Sequence, residues 1–138
     1  MRNKVFRVIV LLIALSLLLS TIAFAAMNAS DYIGGAGAWI SRDGGTVEVN
    51  YYIIGTSSMD QIGLKYIFLY EKNGSTWSLV KIFSYNDPIY SATLMAQNIS
   101  AHSGYVSYSG AANKQYYASC WFYAEKGGGS DTSTQNAY

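Results

Sequence analysis

The chain has 138 residues, a formal charge of +1, a single cysteine and an aromatic share of 15%. That length supports one domain with a real core rather than two, one thiol excludes an internal disulfide, and a balanced charge argues against a phosphate-backbone partner. Tyr, Val, Ile and Thr fill the segments between 13 glycines, and there is only one proline, so the composition favours strands over helices.

The N-terminus reads as a targeting segment. Arg2, Lys4 and Arg7 precede a nearly unbroken apolar run over residues 8–22, too short and too one-sidedly flanked for a comfortable membrane span. Ala23-Phe24-Ala25 fits a small-x-small cleavage pattern. The expectation is a signal peptide over 1–25, a single domain over 26–138, secretion to the extracellular space and no stable membrane insertion after processing. Removing Arg2, Lys4 and Arg7 leaves six basic against eight acidic residues, a formal charge of −2. Nucleic acid is therefore not an expected partner.

Along the remaining chain a first strand is expected near Ala38-Trp39-Ile40, with Asp43-Gly44-Gly45 as a turn. Residues 46–54 alternate Val47, Val49, Tyr51 and Ile53 against Thr46, Glu48, Asn50 and Tyr52, and 55–59 break the run. A long hairpin over 60–85 follows. Ile62, Leu64, Tyr66, Phe68 and Tyr70 form one set, which puts Ile67 and Leu69 on the outward face. Asn73-Gly74 supplies the turn and 77–83 runs back. Pro88 in Asn-Asp-Pro ends the hairpin. Residues 91–101 fit a crossover, a short strand or one helical turn. Strands are expected at 105–109, 115–125 and 131–138, with turns at 110–114 and 126–130.

Short strands with closely spaced turns indicate an all-β antiparallel sandwich of about seven strands, immunoglobulin-like or fibronectin-III-like. Tyr116 sharpens that reading. It follows a turn and heads a strand whose alternate residues Ala118, Cys120 and Phe122 are apolar, the position from which a tyrosine hydroxyl bonds back to the turn in many such sandwiches. Cys120 on that face is expected to be a small buried hydrophobe.

Four separated motifs carry a resemblance: ASDYI at 29–33, GTSSMDQIG at 55–63, NISAHSGYVSYSG at 98–110, and YYA at 116–118 with FYAEK at 122–126 and GGSDT at 128–132. In order and spacing they resemble a family of small exported proteins of Gram-positive gut bacteria, catalogued as a domain of unknown function. The resemblance implies export and a single β domain, and no activity.

The chemistry of catalysis finds little footing. His102 is the sole histidine, and no Gly-x-Ser-x-Gly elbow accompanies it, so it reads as a turn residue bonded to backbone rather than a base. No pair of carboxylates is singled out for glycoside hydrolysis, one Cys and one His do not make a zinc set, and neither glycine-rich stretch has the Lys-Ser of a phosphate loop. No enzyme activity and no cofactor are expected. What remains is an excess of aromatics. Tyr117, Trp121 and Tyr123 share one face of the strand at 115–125 if Tyr116, Ala118, Cys120 and Phe122 face the core. They read either as a face partly covered by loops or as a flat binding surface. The expected function is an exported, non-enzymatic sandwich that binds a surface partner, either a cell-wall or host glycan or a protein, through those three residues. A secreted bacteriocin-like or toxin-like effector is the alternative.

Overall fold

The computed structural model describes residues 30–138, and the expected signal peptide lies outside the described residues. The architecture is all-β, antiparallel and sandwich-like, formed by one six-stranded sheet that curls on itself. The strands are β1 (Ile33–Asp43), β2 (Thr46–Asn73), β3 (Thr76–Ser84), β4 (Met95–Ser109), β5 (Tyr116–Lys126) and β6 (Gly129–Ala137), with one helical turn, α1 (Ser91–Leu94), before β4. There are six strands rather than seven because 46–73 is one strand. Residues 55–59 do not end it. They carry a register irregularity between Ile54 and Met59, and Met59 turns into the core beside Gly55. Among the described residues no helix is long and apolar enough to cross a membrane.

β2 serves both layers. Its first half pairs with β1 on one edge and β4 on the other, while its second half pairs with β5 and β3. β6 then extends the second layer beyond β5. Val47, Val49, Tyr51 and Ile53 point inward from the first layer, as period-two alternation requires. Ile62, Leu64, Ile67, Leu69, Phe83, Ala118, Cys120 and Phe122 meet them from the second.

The turns follow backbone chemistry with one shift. Gly44, Gly74, Gly127 and Gly128 all adopt positive φ, which glycine tolerates in tight hairpins. At the central hairpin the two turn residues are Gly74 and Ser75, and Asn73 still pairs with Thr76. The turn thus sits one residue later than Asn73-Gly74. Residues 91–101 resolve into α1 and the start of β4, where Asn98 sits at φ 55° as a local break.

The inward face of β5 is the expected one, but the alternation of β2 is not. Leu64 pairs with Phe122 and Tyr66 with Trp121, so Lys65 is an extra residue in β2. This bulge reverses the parity beyond it. Ile67 and Leu69 are fully buried, whereas Tyr66, Phe68 and Tyr70 move to the outer face alongside Trp121 and Tyr117. The assignment of Ile67 and Leu69 to the outside is corrected accordingly.

Candidate functional site

The bulge at Lys65 collects the aromatics on one surface. Three strands contribute rows to the outer face of the second layer. β3 supplies Trp77, Leu79 and Ile82; β2 supplies Tyr70, Phe68 and Tyr66; β5 supplies Tyr117 and Trp121. Tyr138, one residue beyond β6, closes the patch beside Tyr117. Trp77, Leu79, Ile82, Trp121 and Tyr138 are the most open members, Trp121 being 46% exposed. From typical side-chain areas these five leave on the order of 500 Å² of apolar surface open, within the roughly 300–600 Å² of the largest patch on a typical monomer, which is often functional.

The rings of this face are spent on one another. Tyr117 stacks on Tyr70 at 4.6 Å and 3°, lies 5.9 Å from Tyr138 on a shallow 26° angle, and receives the edge of Trp77 at 4.8 Å and 89°. Trp121 meets Tyr66 at 6.0 Å and 85° and Phe68 at 5.5 Å and 62°. These are the offset and edge-to-face geometries that aromatic quadrupoles favour. Burial, with Tyr70 and Tyr138 adding, pushes the Tyr117 hydroxyl above its ordinary pKa.

The three residues read from the sequence do not stay together. Tyr117 and Trp121 belong to the face. Tyr123 is only 8% exposed: the Lys65 ammonium sits 3.8 Å over its ring, and its hydroxyl donates to Glu125 Oε2 at 2.6 Å. Burial first, and the Glu125 bond second, push that hydroxyl up. The members missed were Tyr66, Phe68 and Tyr70, because strict alternation placed them inside. Trp77, Leu79 and Ile82 were also missed, since β3 was read only as the return strand. The presence of fourteen aromatics between residues 66 and 123 is the one signal that pointed here.

His102 lies within β4 rather than in a turn, facing the interior opposite Ile53. Its Nε2 is 2.6 Å from the Thr93 carbonyl oxygen and 3.3 Å from the Tyr51 hydroxyl. The Tyr51 hydroxyl also donates to the Thr93 carbonyl. Both groups thus satisfy a carbonyl at the end of α1, where a helix leaves its acceptors unpaired. No hydrogen bond among the described residues joins His102 to a serine, cysteine or carboxylate, and no group of three His, Cys, Asp or Glu is gathered there for a metal.

Compared with known proteins, the chain matches no family model, no curated protein and no solved structure.

Proposed function

We propose that this is an exported, non-enzymatic binding module whose outer β3–β2–β5 face docks on a surface protein. The observation that carries the reading is the continuous aromatic and aliphatic patch from Trp77 to Trp121, half of it open to solvent. Trp and Tyr concentrate interface energy because they are large and have few rotors to freeze. A protein fits better than a glycan on this face. Sugar stacking needs a free ring face, and the Tyr117 ring is enclosed by Tyr70, Tyr138 and Trp77.

The sheet edge beside the patch favours approach to the face. β3 carries an extra residue, Val80, and turns Lys81 inward, with its ammonium 5.6 Å from the ring centres of Phe83 and Tyr90. Bulges and inward charges are devices that block strand-to-strand pairing at an edge. The test is binding of labelled protein to intact bacterial cells before and after the cells are shaved with protease. Binding that disappears on shaving and in Ile82→Ser supports the reading. Binding that survives shaving, or is indifferent to Ile82→Ser, overturns it.

A further inference from the structure

We infer that the opposite outer face, on β1, β2 and β4, is a second site: a stacking platform for a linear β-1,4-linked glycan with neutral or amino-substituted rings. The two faces are built differently. Here one ring lies flat. A Cβ built on Gly37 would fall 2.4 Å from Cε1 of Tyr52, so the Tyr52 ring covers the bare backbone of β1 and presents its other side outward. Trp39 and Tyr105 both neighbour Asn50, one through β1 and the other through β4. They are therefore two strand spacings apart, about 10 Å, roughly the length of two pyranose units in an extended chain. They are 49% and 57% exposed, and among the described residues neither makes a ring–ring or cation–π contact.

The groups between the rings are polar. Asn50 Nδ2 donates to Ser41 Oγ at 2.8 Å, and no donor among the described residues is bonded to its Oδ1. Ser103 and Ser107 flank Tyr105 on the same row. Rings spaced along a surface with amide and hydroxyl groups between them match a sugar chain, whose ring faces are apolar and whose rims are hydroxylated. At the free edge of β4, Tyr105 and Ser107 also border a groove of about 490 Å³ whose other wall is Ile89, Tyr90 and Thr93.

Charge narrows the ligand. The outward rows of this layer carry Asp43 and Glu48 and no lysine or arginine. An anionic polymer is repelled, and an amino sugar is favoured over its N-acetylated form. The probes are the hexamers of N-acetylglucosamine and of glucosamine, titrated calorimetrically into the purified full chain. The wild type is expected to bind both, the glucosamine hexamer more tightly, with that preference lost in Glu48→Gln. Trp39→Ala and Tyr105→Ala are each expected to weaken binding about tenfold or more, while Trp121→Ala on the other face leaves it unchanged. Folding of each variant is checked by its unfolding midpoint. A wild type that binds neither hexamer overturns the proposal. So does unaltered affinity in both folded ring variants, and so does an equal loss in Trp121→Ala.

Discussion

The Tyr116 hydroxyl donates to Glu71 Oε2 at 2.7 Å across 45 residues of chain, tying the head of β5 to the end of β2. The same hydroxyl accepts the Ala111 backbone N–H at 2.8 Å. Arg42 of β1 completes the corner: its guanidinium lies 5.4 Å over the Tyr116 ring and donates to the carbonyls of Ala111, Ala112 and Lys114. Gly110 leaves room for the arrangement, since a Cβ there would lie 2.5 Å from the hydroxyl. Tyr116→Phe strands the Ala111 N–H and removes a donor from Glu71. The expected loss is about 1–3 kcal/mol, read as a lowered urea midpoint with unchanged slope. An unchanged midpoint would show that water replaces the hydroxyl without cost.

That corner was legible because its signals are local: a polar turn, a tyrosine after it, then clean alternation through Cys120 and Phe122. The first half of β2 was legible for the same reason, since Val47, Val49, Tyr51 and Ile53 keep one parity throughout. The second half was not. Lys65 inserts one residue in a string that still alternates on paper, and a lysine gives no sign of a bulge. Nor did residues 55–59 announce that the strand bends there rather than ends, because Gly, Ser and Thr suit either outcome. The aromatic face depends on that slip, so only its β5 row could be read in advance.

The slip itself is testable. Ile67 is fully buried and Phe68 lies on the outer face beside Trp121. Ile67→Ala should cost about 2–5 kcal/mol, the range for emptying a core position. Phe68→Ala gives up mainly its ring contacts, about 0.5–1.5 kcal/mol each. Paired denaturation curves compare the two. A larger loss for Phe68→Ala would restore the uninterrupted alternation and dissolve the outer aromatic face.

Gly63 is the more crowded of the two glycines in β2. It adopts φ 157°, and an added Cβ would fall 2.0 Å from the Leu94 carbonyl oxygen at the end of α1. The obstacle is backbone and has no rotamer to yield. Gly63→Ala should therefore destabilise by about 3 kcal/mol or more, at the far end of single-substitution effects. Gly74→Ala meets no atom within 4 Å, and its φ of 64° costs only about 1–2 kcal/mol. Thermal midpoints should rank the two in that order.

Cys120 is fully buried between Ala118 and Phe122, and burial pushes its thiol from 9.0 up to about 12. A raised folded value favours the folded state below the unfolded pKa, and that advantage is lost as pH climbs through the folded one. Stability should fall between pH 9 and 12, with a limiting slope of about 1.4 kcal/mol per pH unit from this group. Cys120→Ala should be less stable at pH 7, from the volume lost, yet show a shallower alkaline decline. Native labelling by a thiol reagent at pH 8 should be slow and should accelerate sharply in denaturant. Fast native labelling would place the thiol at the surface.

Trp121 and Tyr123 share one row of β5 but differ in what holds them. Trp121 is half open and touches only Tyr66 and Phe68 among the rings, whereas Tyr123 lies under Lys65 and is bonded to Glu125. Truncating Trp121 removes two edge-to-face contacts, for about 1–2 kcal/mol. Truncating Tyr123 empties a closed site, for about 3–5 kcal/mol. The consequences for binding run the other way. Trp121→Ala removes the largest open ring of the face and should abolish protease-sensitive binding to cells while the protein stays folded. Tyr123→Phe keeps the ring under Lys65, loses only the hydroxyl bond to Glu125, and should bind as the wild type does. Cell binding and circular dichroism on the same preparations separate the roles. If Tyr123→Phe loses binding while remaining folded and Trp121→Ala keeps it, the contact surface lies around Lys65 and Glu125 instead of on the open aromatic rows.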